Sequence, residues 1–317
     1  MVLDNKTKVS ICVLTYNRSL LLRNLLSSLQ SLKYDILEII VVDNHSADDT
    51  MRMVTTEFDE IKYIRTERNM GASARNLGLK AARGGIVVTL DDDILGLSEE
   101  SIKFLLDLFG GRRGLGAVNF KVIAESTGRI CNWVHHRKIE EFRDCEFQTY
   151  EITEGAVAFR RKVLEECGYY PEDFFLSHEG PDLAFRILDK GYEVIYSPRV
   201  TVVHYHSDLG RKNWLNYYYD TRNQMWVAAR NFPISYAVRY LARGISSMFF
   251  YSIRDGFFWY WARGVVDGLR GLRNAMKGRN VLRKETMRTL RAIDSSRPDL
   301  KYMVGKKVFQ KKFRLLE

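Results

Sequence analysis

Cysteine, proline and long apolar runs are all scarce in this chain of 317 residues. The four cysteines, Cys12, Cys131, Cys145 and Cys167, lie far apart and form no C-x-x-C pair. That spacing argues against a zinc ribbon and a disulfide framework, and reads as free thiols in a reducing compartment. There are five prolines, and no tract repeats at a fixed period or is low in complexity. Neither a disordered linker nor a solenoid is therefore indicated. The start, Met1-Val2-Leu3-Asp4-Asn5-Lys6, has no apolar core of signal-peptide length, from which a cytoplasmic protein is expected. In the aromatic C-terminal part the longest uncharged stretch is Gly244 to Ile253. It falls well short of the roughly 20 residues a spanning helix needs.

What is present is ordinary for a folded domain: 46% hydrophobic and 28% charged residues. The length suits one large α/β domain with an appendage. Charge is distributed unevenly. Ser207 to Glu317 holds 23 Lys and Arg against 8 Asp and Glu, whereas residues 1–206 hold 26 against 31. A basic final third on a mildly acidic body points to an anionic surface as partner: phospholipid, lipid-linked phosphate or nucleic acid.

Residues 9–15, 37–42 and 86–90 are short apolar runs rich in β-branched residues, each ending in a polar residue. Strands buried on both faces of a parallel sheet have this composition. Helical patterns from Leu20 to Leu32 and from Ala72 to Ala82 alternate with them, which predicts a doubly wound α/β sheet. In such sheets ligands sit beyond the carboxyl ends of the strands. Those ends are Thr15-Tyr16-Asn17, Asp43-Asn44 and Asp91-Asp92-Asp93. Further strands are predicted at 115–124, 152–159, 192–196 and 200–205. A helix is expected from Asp182 to Lys190, with Pro181 at its first position and Gly191 as its stop. From about Lys212 the pattern is helical and basic.

The acidic triplet is the strongest chemical signal. Three carboxylates at one strand end repel each other unless a cation neutralises them, and hard oxygen ligands suit Mg²⁺ or Mn²⁺. The alternative is a solvated turn capping a helix that begins near Ser98. His204 and His206 end a predicted strand on one face, where an imidazole is placed to complete a metal site. In His178-Glu179-Gly180-Pro181-Asp182, Glu179 is read as a loop carboxylate placed to take a proton from an attacking hydroxyl, and Asp182 as a helix cap. Ser46 reads as an N-cap with Asp49 three residues on. Asp43 stands where nucleotide-binding α/β folds contact base or ribose. Gly71 permits close backbone approach, and Arg75 faces either the donor or a surface carboxylate.

Taken in order, Val13-Leu14-Thr15-Tyr16-Asn17-Arg18, Val41 to Thr50, Asn69 to Gly78 and Leu90-Asp91-Asp92-Asp93 resemble the family 2 glycosyltransferases of GT-A fold. Gly155, the Glu179–Asp182 segment, Gly191-Tyr192 and His204-x-His206 continue the match, which covers roughly residues 8 to 225. The resemblance implies a Rossmann-like mixed sheet flanked by helices. It also implies inverting transfer of a hexosyl or deoxyhexosyl group from a UDP-, dTDP- or GDP-linked sugar, with Mg²⁺ or Mn²⁺. Thr15, Asn17, Asp43, Asn69, Arg75, Asp91 and Asp92 would hold the donor, and Asp91, Asp93 and His204 the metal. In many members an E-D-x-D pattern supplies the catalytic base; here that Asp is replaced by Gly180. Glu179 becomes the first choice of base and Asp182 the second.

The expected division is a catalytic unit over 1–212 and a helical, aromatic and basic region over 213–317. Arginines interleaved with Trp and Tyr in that region suit an interfacial helix on anionic lipid, on the cytoplasmic face of a membrane, or alternatively a homodimer contact. A saccharide or lipid-linked saccharide acceptor accords with the first. Three rival readings stand beside the transferase. A sugar-nucleotide nucleotidyltransferase usually carries a Gly-rich loop after its first strand, and Thr15 to Ser19 has no glycine. A nucleic-acid-binding protein fits the charge, but no binding motif is recognisable and no nucleic acid partner is expected. The third rival is an inactive nucleotide-binding relative that lost its base at Gly180.

Overall fold

The computed structural model describes residues 9–32, 37–131, 133–205, 214–298 and Tyr302. In chain order the elements begin β1 (Val9–Thr15), α1 (Ser19–Gln30), β2 (Leu37–Asp43), α2 (Thr50–Glu57), β3 (Lys62–Arg65), α3 (Arg75–Ala81) and β4 (Ile86–Asp91). They continue with β5 (Ile94–Leu95), α4 (Glu99–Gly111), β6 (Leu115–Ala124), α5 (Ile139–Phe142), β7 (Phe147–Gln148), β8 (Ala156–Arg160), α6 (Arg161–Cys167), α7 (Glu179–Asp189) and β9 (Glu193–His204). Four helices complete the described chain: α8 (Trp214–Asn231), α9 (Ile234–Arg254), α10 (Phe258–Ala275) and α11 (Lys284–Ser295).

One sheet runs β3-β2-β1-β4-β8-β6-β9-β5, with β7 paired to β9. β3, β2, β1 and β4 are parallel; β8 lies antiparallel between β4 and β6, and β6 and β9 are parallel again. The sheet is thus mixed and flanked by helices on both faces. Alternation along each strand feeds the two cores. Ile11, Val13, Val41 and Val88 face a cluster with Leu22, Leu25, Leu26 and Leu29 of α1. Cys12, Ile40 and Val87 face the other, with Leu79 of α3, Leu183 of α7 and Leu290 of α11. Each such side chain taken fully out of water stabilises the fold by about 1.5–3 kcal/mol. Ser98 caps α4 by accepting a hydrogen bond from the Ser101 amide.

Several expectations need correction. α7 begins at Glu179, not Asp182, after His178 takes a left-handed backbone (φ 67°). Gly180 and Pro181 therefore lie in its first turn, where a proline lacking an amide proton costs nothing. Glu179 is a buried helical residue, not a loop residue. The two strands expected around 192–205 are one, β9. Pro198 sits where its register against β6 shifts, between Ser197 and Thr201, so the proline marks a bulge and not a break. Likewise α2 starts at Thr50 with Asp49 at the N-cap, and the Ser46 hydroxyl is occupied elsewhere. Cys145 is exposed, while Cys12, Cys131 and Cys167 are buried.

Candidate active site

The parallel register puts Thr15 beside Asp43, and Leu14 beside Asp91, so the three polar strand ends converge at one sheet edge. Two loops are bound together there. Asn17, in left-handed backbone, donates its amide to Ser46 Oγ at 2.9 Å and accepts the Ala47 amide at 2.6 Å. Asp43 is wholly buried; it accepts the Ser46 amide at 2.7 Å and the Tyr63 hydroxyl. Asn69 accepts from Asn44 Nδ2 at 3.0 Å and from the Gly71 amide at 2.9 Å, closing the turn that launches α3. Gly71 has φ 64°, and a Cβ there would lie 2.0 Å from the Phe175 carbonyl oxygen, which accepts the Ala72 amide at 2.7 Å.

Each member of the acidic triplet meets a guanidinium: Arg75 for Asp91, and Arg18 for both Asp92 and Asp93. The Asp91 carboxylate pairs with the buried Arg75, whose Nε and Nη1 have no hydrogen-bond partner. Asp92 accepts the Thr15 hydroxyl at 2.8 Å and Arg18 Nη1 at 3.1 Å. Asp93 Oδ2 lies 2.8 Å from Arg18 Nη1 and 3.2 Å from His204 Nε2. Burial pushes the Asp92 carboxyl up to about 7, against the pull of Arg18. His204 closes β9 opposite Ile94 of β5 and is buried. His206 lies outside the described residues.

The donor set suits a hard divalent cation. Two ligands at right angles, about 2.1 Å from one octahedral ion, stand about 3 Å apart. The 3.2 Å between Asp93 Oδ2 and His204 Nε2 matches that spacing. Among the described residues no three His, Cys, Asp or Glu side chains are already gathered as a metal-holding group. Asp91 is turned to Arg75, and Arg18 holds Asp93. The guanidinium groups of Arg18 and Arg75 thus balance the carboxylates that a cation would balance.

A second acidic group also neighbours Arg75. Glu179 is 4% exposed, and its Oε2 has no hydrogen-bond partner. Glu154, from the loop before β8, crosses the first turn of α7. Burial, then the charge of Glu179, pushes the Glu154 carboxyl well above the usual carboxylate range. Burial raises Glu179 too, with Arg75 and His178 opposing. His178 Nε2 is 2.9 Å from Asp220 Oδ1 of α8; burial opposes its protonation, yet Asp220 lifts its pKa above the ordinary value. Asp182 faces elsewhere. It accepts from Asn231 Nδ2 at 2.9 Å and from Arg186 at 3.2 Å, tying α7 to α8. The segment before α7 is held from α8 as well, because Asn223 Nδ2 reaches the carbonyls of Phe174, Leu176 and Ser177.

Sequence reasoning missed Arg18, Glu154, Tyr63 and Asn223. Arg18 directly follows the Thr15-Tyr16-Asn17 strand end, and that adjacency was a usable signal. Glu154 directly precedes Gly155, which the family pattern marks, so it had the same kind of signal; Tyr63 and Asn223 meet the site across long stretches of sequence and left none.

A mixed sheet of this order with an acidic strand end is the plan of GT-A glycosyltransferases. The fold superposes on residues 1–349 of Staphylococcus aureus TarS, solved with UDP-GlcNAc, with a TM-score of 0.60. That match covers 94% of this chain and 92% of the other at 18% identity. It superposes also on the mannosyltransferase PcManGT from Pyrobaculum calidifontis, solved with GDP-Man and Mn²⁺, with a TM-score of 0.53. Here 96% of this chain and 88% of the other are covered, at 20% identity. In sequence the chain is similar to the poly-β-1,6-N-acetyl-D-glucosamine synthase of Staphylococcus epidermidis, 26% identical over 203 residues, 60% of this chain and 48% of that protein. It is also similar to the O-antigen chain rhamnosyltransferase WbaN of Salmonella anatum, 22% identical over 193 residues, 57% and 60% of the two chains. The chain thus spans roughly half the length of the first of these relatives. Residues 10–168 match the glycosyl transferase family 2 profile, and the chain belongs to that family.

Proposed function

We propose that this glycosyltransferase moves a sugar, with inversion, from a nucleoside diphosphate donor to a hydroxyl of a saccharide or lipid-linked saccharide. The observation that carries the reading is that the Asp91–Arg75 pair and the Asp93–His204 pair, at 3.2 Å, stand at the same strand end, with Arg75 also neighbouring the Glu154 and Glu179 carboxyls. In this reading Thr15, Asn17, Asp43, Asn69, Arg75, Asp91 and Asp92 form the donor side. Asp43 and Asn69 act through the loops they brace, since their side chains are already engaged. Asp91, Asp93 and His204 hold Mg²⁺ or Mn²⁺, which supplies charge to the leaving diphosphate when bound. Arg75, with two nitrogens still unpartnered, adds a fixed positive charge beside it. The second acidic group takes the acceptor's proton. Release of nucleoside diphosphate from UDP-, GDP- and dTDP-linked sugars tests this. Turnover of one donor with Mn²⁺, abolished by EDTA, is expected; absence of turnover with every donor and divalent cation contradicts it.

A second part of the reading concerns the C-terminal helices. No described helix is long and apolar enough to cross a membrane. α9 and α10 form a hairpin whose tip exposes Phe250 (69%), Ile253 (53%) and Trp259 (79%), with Arg254 and Arg263 alongside. We infer that this tip seats on an anionic lipid surface, where an acceptor carried on lipid would be presented.

A further inference from the structure

Three carboxyls surround the first turn of α7: Glu179, Asp182 and Glu154. Both Asp182 oxygens are engaged, by Asn231 and Arg186. Glu179 is sealed at 4% exposure. Glu154 alone of the three is not fully buried. Its backbone is pinned immediately after the side chain. The Thr89 hydroxyl donates to the Glu154 carbonyl, and the Asp91 amide donates to the carbonyl of the next residue, Gly155, at 3.2 Å. The carboxyl itself occupies the space above Gly180. A Cβ built on Gly180 would meet Glu154 Oε1 at 2.3 Å and the Ile152 carbonyl oxygen at 2.5 Å. The missing side chain at position 180 is therefore what admits the Glu154 carboxyl.

We propose that Glu154, reaching across Gly180, is the general base that takes the acceptor's proton; this rests on the transferase reading above. In the step, the acceptor oxygen bonds to the anomeric carbon while the bond from that carbon to the diphosphate oxygen breaks. The bonding pair leaves on the diphosphate, and the hydroxyl proton passes to a Glu154 oxygen. Glu179 is the buried neighbour that shares this acidic pocket.

The test uses the full chain, Mn²⁺ and whichever UDP-, GDP- or dTDP-linked sugar raises its melting temperature, with water as acceptor. Removing a positioned base lowers the rate about 10²–10⁴-fold. Glu154→Ala is expected to lose that much donor hydrolysis while keeping the donor-induced rise in melting temperature; Glu154→Gln serves if the alanine variant folds poorly. Sodium azide, a nucleophile with no proton to remove, is expected to restore turnover as glycosyl azide. A packing role for Glu154 would not make the lost turnover depend on azide. The proposal is overturned if Glu154→Ala hydrolyses donor like wild type. It is also overturned if the loss appears with Glu179→Gln instead, or if azide does not relieve it while donor still binds. A wild-type chain that no donor stabilises would sink the transferase reading itself, and Glu154 with it.

Discussion

The Asp91 carboxylate lies directly against the backbone of Gly155: a Cβ built there would stand 2.3 Å from Asp91 Oδ2. The same two residues are joined by the Asp91 amide, which donates to the Gly155 carbonyl. β4 and the start of β8 thus hold the first acidic residue of the triplet between Gly155 and Arg75. Gly155→Ala must displace a carboxylate that the donor side needs. A misplacement of about 1 Å can cost about 10²-fold in rate, and overpacking about 1–3 kcal/mol of stability. The expected result is a loss of kcat/KM of about that size in a folded protein. Wild-type kinetics in Gly155→Ala would show that Asp91 has room to move or has no part in turnover.

The site was only partly legible in the sequence, and the division has a physical reason. β1, β2 and β4 were readable because strands covered on both faces must be apolar throughout. The acidic triplet was readable because it interrupts that pattern abruptly. The start of α7 was misplaced because Gly180 and Pro181 look like a break, whereas a left-handed His178 caps a helix that begins at Glu179, three residues before Asp182. The pairing of Arg18 with Asp92 and Asp93 spans more than 70 residues, and the fit of Glu154 over Gly180 is a matter of volume. Neither spacing nor residue type encodes such contacts.

His135 predicts an acid limit on stability. It is buried among Trp133, Phe147 and Tyr196 and lies 3.2 Å from the Thr149 hydroxyl. Burial, with the nearby His136 and Arg137 charges, pushes its pKa down to about 3 from 6.5. Between those values the unfolded chain binds a proton that the folded chain does not, so stability falls as pH drops below about 6.5. The slope from this group is at most about 1.4 kcal/mol per pH unit. Urea melts from pH 7 to 4.5 should show a flatter decline for His135→Gln than for wild type. Equal slopes would mean that the ring protonates in the folded state.

The α9–α10 tip predicts lipid binding. Sedimentation with phosphatidylglycerol vesicles should carry the protein down at low salt. Pure phosphatidylcholine vesicles, or about 0.5 M salt, should not, since screening weakens exposed charge pairs. A Phe250→Ser, Trp259→Ser double variant should stay in the supernatant with its melting temperature nearly unchanged, because both side chains are exposed. Equal sedimentation of that variant would exclude the tip, and a fall in mass on gel filtration for the variant alone would reassign it to a contact between copies of this chain.

The transferase account turns on the acidic strand end holding a divalent cation and, through it, a nucleoside diphosphate sugar. The direct measurement is a thermal-shift panel of UDP-, GDP- and dTDP-linked sugars, with Mn²⁺ or with EDTA, on wild type and Asp93→Ala. A ligand at about 100 times its Kd stabilises the folded state by about 2.7 kcal/mol. The account predicts such a rise for one nucleotide class, present with Mn²⁺, absent in EDTA and absent in Asp93→Ala. A folded wild-type protein that no donor stabilises, or a rise that survives EDTA and Asp93→Ala unchanged, would contradict it.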